Sequence, residues 1–227
     1  MTSKEKIVVV SIALALLLLS YALKLSWVIP TLIILLLLIL TLFIEFERSY
    51  ASTRLIAVLG FITAVTIVSR QMVHGFAVSP VFFFVILTGY VFGAVSGFVV
   101  CATTMFVSNF FVGGHGPWTP FQMIALGSIG FCASILPKKF GIKTRILLLS
   151  FFGVIASFFY SAVTDVFWWM TFTTQHTLKT YLAVSVAGVP FSIATAFGNI
   201  LMMVFFSPTF IKILERFRKR FFMEYVD

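Results

Sequence analysis

Charge is what this sequence has least of. Only 10% of its 227 residues are charged, and just seven are acidic, against about a quarter charged in a soluble domain. With 61% hydrophobic residues and a mean hydropathy of +1.13, no water-facing globule could cover its own core. Cysteine is equally scarce. Cys101 and Cys132 both fall in apolar runs, which points to two small buried thiols rather than a disulfide framework. There is no GxxxxGK[ST] loop, so ATP hydrolysis is not expected of this chain, and there is no HExxH. The three histidines have no close spacing, so neither a metal nor a cofactor is expected. A small-residue cleavage pattern after the first apolar run is also missing, and that run is expected to be a retained helix.

What is there is a series of long apolar runs. About 20 such residues cross the hydrocarbon core of a bilayer. Runs at 6–23 and 27–45 are followed by a polar stretch, then by runs at 54–70, 79–93, 94–112, 119–136, 145–171 and 180–211. The expected fold is all-α, a polytopic membrane helix bundle with an N-terminal hairpin (1–50) and a six-helix core (51–227). Residues 79–112 carry no charge and are too long for one helix. Gly89, Gly93 and Gly97, spaced by four, mark where the chain can turn or pack backbone to backbone, with the turn placed near Gly93-Ala94.

Lysine and arginine favour the cytoplasmic side of a membrane. With the N-terminus inside, Lys4, Lys6, Arg48, Arg54, Lys138, Lys139, Lys143, Arg145, Lys212, Arg216, Arg218, Lys219 and Arg220 all fall inside. Only Lys24, Arg70 and Lys179 fall outside. That bias predicts both termini in the cytoplasm and an even number of passes. It also explains the net charge of +9 without nucleic acid: the basic 212–220 segment is expected to lie on the anionic inner leaflet.

The same topology gathers the polar residues on the outer side. His74, His115 and His176 fall in or beside outer loops, in one layer with Asn109, Trp118, Gln122, Asp165, Trp168, Trp169 and Gln175. Asp165 is the only acid inside a core run. An intramembrane acid is costly unless paired or wetted, so it serves either a ligand or a structural partner such as Arg70 or a histidine. Trp27, Trp118, Trp168 and Trp169 all sit at outer helix ends, where an aromatic belt would also put them. Trp118 stands apart, within Gly113-Gly114-His115-Gly116-Pro117-Trp118-Thr119-Pro120-Phe121-Gln122-Met123. That run joins flexible glycines to a helix start whose free N–H groups favour an anionic or carbonyl group. The expected substrate-binding set is Asn109, His115, Trp118, Gln122, Asp165, Trp168 and Trp169, under outer loops at 70–79, 113–118 and 171–179.

From about residue 51 onward the chain resembles the substrate-binding S components of energy-coupling factor (ECF) transporters. The resemblance rests on the six-helix count, on the stretch from Gly89 to Gly97, and on the Gly-Pro-Trp-Thr-Pro-Phe-Gln-Met run followed by Gly127 and Gly130. It implies a multi-pass protein of the prokaryotic cell membrane that captures a vitamin-like small molecule from outside. It further implies docking on a transmembrane coupling protein driven by two separate ATPase subunits. An Ala-xxx-Ala motif on the first core helix packs against that coupling protein in the family. Here Ala57, Gly60 and Ala64 share one helical face; Gly60-xxx-Ala64 keeps the spacing with glycine first, whereas Ala57 is followed at four by Phe61. The competing use of these small residues is packing within the bundle.

Aromatic residues with few charges suit a flat, mostly neutral heterocycle or a ligand with an apolar tail; a cobalamin-related precursor is one candidate among several. Three other readings compete. A self-sufficient secondary carrier would want inverted repeats and mid-membrane charges, which are not evident. A membrane-embedded enzyme would have to use His115 and Asp165 as its acid/base pair. An assembly factor would need no ligand at all.

Overall fold

A computed structural model describes residues 53–72 and 79–222, together with single helical positions between 32 and 46. The hairpin expected at 1–50 therefore lies mostly outside the described residues, although Ile39 is buried with the core and Phe43 and Phe46 pack against it. Six helices follow: α1 (Thr53–Met72), α2 (Val81–Phe92), α3 (Ala94–Asn109), α4 (Thr119–Ala133), α5 (Ile142–Phe172) and α6 (Leu178–Phe222).

By length and composition α1, α5 and α6 can each cross a membrane. Helices α2, α3 and α4 have 12, 16 and 15 residues, short of a full crossing. They form the centre of the bundle. Helix α2 touches each of the other five, and every residue in it except Phe84 is buried. The outside is apolar too: Phe61, Met72, Phe111, Ile135, Leu147 and Phe205 are all exposed, as a lipid-facing surface requires. The described chain is thus a helical membrane bundle.

The three glycines spaced by four divide their work. Gly93, at φ 99°, makes the turn between α2 and α3, a conformation that costs glycine little. Gly89 and Gly97 instead let backbones touch. A Cβ on Gly89 would stand 1.7 Å from the Gly130 carbonyl oxygen, and one on Gly97 would stand 2.5 Å from the same atom. Helices α2, α3 and α4 meet there main chain to main chain.

Helices α5 and α6 share a polar seam. Asn199 Nδ2 donates to the Gly153 carbonyl (3.1 Å) and to Ser157 Oγ (2.9 Å), the Ser161 and Ser192 hydroxyls pair at 2.7 Å, and Tyr181 donates to the Ala162 carbonyl at 2.9 Å. At the end of the bundle carrying the α4–α5 loop, Arg145 on α5 is ion-paired with Glu215 on α6. Its Nε also donates to the Tyr90 hydroxyl (2.7 Å), which donates to the Pro137 carbonyl (3.2 Å). Lys138 Nζ lies 5.5 Å from the centre of the Tyr90 ring. Burial, then the positive charge of Arg218, pushes the Lys138 ammonium below the ordinary lysine value.

Two expectations change. The run at 180–211 is part of a helix that continues to Phe222, through Pro190 and Pro208; the basic stretch 212–220 is helical because it prolongs a turn already formed. Cys101 is buried as expected, but Cys132 is exposed. An apolar neighbourhood marks lipid contact as readily as burial, and Cys132 has the first.

Candidate functional site

The ends of α1 and α3 and the start of α4 come together around a chain of polar side chains. Arg70, in the last turn of α1, donates from Nη1 to Ser108 Oγ and to Asn109 Oδ1, the latter at 2.8 Å. Asn109 closes α3, and its Nδ2 donates to Gln122 Oε1 at 2.9 Å and to Thr119 Oγ1 at 3.4 Å. Tyr160 of α5 brings its hydroxyl beside Gln122 and near the Arg70 guanidinium, with its ring edge-on to Phe82 of α2 at 5.4 Å. Four helices thus supply one cluster. Asn109 and Ser108 are fully buried, so each polar atom there must be answered by another.

The loop between α3 and α4 is shaped by Gly113 (φ 78°) and Gly114 (φ 72°), two successive left-handed residues that a side chain would strain. Gly116 N–H donates to Thr119 Oγ1 at 3.2 Å, and Thr119 N–H to the Gly116 carbonyl at 2.9 Å, which locks the start of α4. Trp118 folds back over Gly116, where a Cβ would stand 2.3 Å from the indole. Its ring meets Phe167 of α5 edge-on at 5.9 Å, and Phe121 meets Phe167 at the same distance.

The seven expected binding residues divide accordingly. Asn109 and Gln122 are bonded to one another, and Trp118 closes the adjoining aromatic group. His115 is exposed and lies on the outer face of α3, 4.9 Å from the Phe106 ring and 4.3 Å from the Phe110 ring. Asp165 lies in the α5–α6 seam beside Ser185 and Gly188, and its buried Oδ2 has no hydrogen-bond partner among the described residues. Neither Arg70 nor a histidine pairs with it among the described residues. Trp169 is held by α6: Nε1 donates to Thr180 Oγ1 at 2.9 Å, and the ring meets Tyr181 and His176. Trp168 is exposed and stacks on Phe172 at 5.0 Å. His74 lies outside the described residues. The cluster also contains Ser108, Tyr160 and Arg70, which the expected set omits. The signal for Arg70 was present in the sequence, since the expected topology leaves only three cations, Arg70 among them, on the side that positive charge avoids.

On the flank of the bundle, Ala57, Gly60 and Ala64 are all exposed, and among the described residues nothing lies within 4 Å of a Cβ built on Gly60. Ala57 and Ala64 line two apolar hollows between α1, α2 and α6, floored by Phe84 and Phe210. Packing within the described bundle does not use these small residues.

Neither the curated proteins nor the solved structures compared with the chain include a match. A family does: the description "ECF-type riboflavin transporter, S component" matches residues 50–215, from just before α1 into the last third of α6. That span contains the whole polar cluster and the exposed small-residue face, and it places the chain in a transport family rather than among enzymes. The chain belongs to the family of ECF-type riboflavin transporter S components.

Proposed function

We propose that this protein is the ligand-capturing subunit of an ATP-driven importer, taking a vitamin-like heterocycle of the riboflavin class at the end of the bundle where α1, α3, α4 and α5 converge. The observation that carries the reading is the Arg70–Asn109–Gln122 chain beside the Trp118–Phe167–Phe121 aromatic group, all within the span that matches the family. Polar groups that fix orientation, set beside rings that supply area, are how small planar ligands are held. The charge bias of the loops supports placing that end outside and both termini in the cytoplasm.

Because this chain has no phosphate-binding loop, the energy has to come from elsewhere. The reading assigns it to a transmembrane coupling protein with two ATPase subunits, docked on the face of α1 that carries Ala57, Gly60 and Ala64. Small residues allow helix backbones to approach closely, and no described residue covers Gly60 on this face. Affinity purification from its native membrane should bring down one membrane protein and two ATPases, together with a ligand identifiable by mass spectrometry. If the chain purifies alone and empty, the importer reading fails.

Substitution of Gly60 separates docking from capture. Gly60→Trp should leave ligand binding by the isolated subunit within about twofold, because the position is exposed and lies ten residues, about 15 Å, along α1 from Arg70. Recovery of the coupling protein should fall about tenfold or more, the range in which loss of a tightly packed contact registers. Unchanged recovery would move the docking face elsewhere.

A further inference from the structure

We infer that Arg70 is the ligand's anchor, and that the ligand presents it with an acceptor edge: adjacent carbonyl or ring-nitrogen atoms, or a carboxylate. This rests on the capture site proposed above and adds the polarity of its occupant. Hydrogen-bond direction fixes the polarity of the cluster. A guanidinium has five N–H donors and no acceptor. The Asn109 atom facing Arg70 must therefore be its oxygen, as found at 2.8 Å, which turns the Asn109 nitrogen towards Gln122. The Gln122 atom that receives it is likewise the oxygen, at 2.9 Å. The Gln122 Nε2 is left on the Tyr160 side. A hydroxyl that accepts from that amide keeps its own proton to give.

Each link in the chain is thus oriented by the one before it, and each free end is a donor. Ser108 conforms: it accepts from Arg70 and donates to the Met105 carbonyl at 3.2 Å. The remaining guanidinium nitrogens, Nη2 and Nε, have no acceptor among the described residues, and no carboxylate there pairs with Arg70. Gln71, next in sequence on α1, has a buried Nε2 with no hydrogen-bond partner among the described residues. A half-buried cation ringed by neutral groups whose free ends are all donors is complementary to acceptors and repels cations. A flavin's imide edge and an aliphatic carboxylate are two sources of that chemistry.

The test is calorimetric titration of the purified full-length subunit with riboflavin (imide edge), pantothenate and biotin (carboxylates) and thiamine (a cation). Wild type should bind at least one acceptor-edge probe and not thiamine. Arg70→Gln should weaken that binding about 30-fold or more, the scale of losing a charge-assisted hydrogen bond. Gln122→Glu provides the control on folding. It still accepts from Asn109, so the thermal midpoint should stay within about 3 °C. Its carboxylate, however, would accept the Tyr160 proton that the amide leaves free and would set a negative charge beside an acceptor edge, which should weaken binding about tenfold or more. Binding of a carboxylate but not riboflavin, still dependent on Arg70, would reject the flavin class and retain the anchor. Thiamine binding, affinity unchanged within threefold in both variants, or no binding of any probe would each overturn the inference.

Discussion

Gly89→Ala should yield almost no folded protein, because one added methyl group would sit 1.7 Å from the Gly130 carbonyl oxygen. No rotamer relieves the clash, since both partners are backbone. Helices α2 and α4 would have to separate, and Gly97 would follow, being 2.7 Å from the Gly89 Cα when given a Cβ of its own. Overpacking a core by one methylene costs roughly 1–3 kcal/mol when side chains can yield. Here none can, and the loss should exceed that range, a large part of the 5–15 kcal/mol typical of whole-domain stability. Size-exclusion chromatography of detergent extracts would show the monodisperse peak lost to aggregate. The matched control is Gly60→Ala, where nothing stands in the way. That substitution should be neutral or stabilise α1 by up to about 1 kcal/mol through helix propensity. A well-folded Gly89→Ala protein would show that α2 and α4 are not in main-chain contact.

Close to that glycine contact, at the end of the bundle carrying the α4–α5 loop, Glu215→Ala should destabilise the protein by about 2–4 kcal/mol, towards the cost of unpairing a buried ion. The Arg145 side chain is 12% exposed and that of Glu215 is 35% exposed, so the surviving charge is the better buried of the two. It would then sit among Lys138, Tyr90 and the Pro137 carbonyl with its counter-charge gone. Removing both charges should cost less than removing the acid alone. Glu215→Ala combined with Arg145→Met is expected to recover at least half of the loss, a coupling that a double-mutant cycle followed by thermal denaturation would measure. If the double variant is no more stable than the single one, the pair is not what holds α5 to α6 here.

How much of this was legible in the sequence depends on what lipid hides. Gly93 was readable as a turn because a stretch without charge had to be broken and glycine was where it could break. The pairing of Gly89 and Gly97 with Gly130 was readable only as a type of contact, since spacing by four gives a face but not the partner. Helix α6 outran its apolar stretch because hydropathy measures how long a segment stays in hydrocarbon, not where its hydrogen bonds stop. Cys132 came out exposed for a related reason: towards lipid, an apolar surface is the rule. The outer polar layer was collected by counting charges, which resolves a side of the membrane but not a rotation about a helix axis. Hence Asn109 and Gln122 proved to be partners, whereas His115, Asp165 and Trp169, from the same layer, make their contacts elsewhere, and Trp168 reaches the aromatic group through Phe167. Arg70 was counted as a mark of topology, and its two neutral partners become visible only when α1 is laid beside α3.

The 45 residues of α6 amount to a rod about 67 Å along its axis, at 1.5 Å per residue. That is roughly twice the thickness of the hydrocarbon layer. One unbroken element therefore joins the turn that cradles Trp169 to the basic tail beyond Glu215. A change of 20° in its inclination, an ordinary amount for a membrane helix, would shift one end sideways relative to the other by about 20 Å. Such a lever would couple the Trp169 end of the bundle to the Glu215 end directly, with no displacement needing to pass through the packed glycine centre.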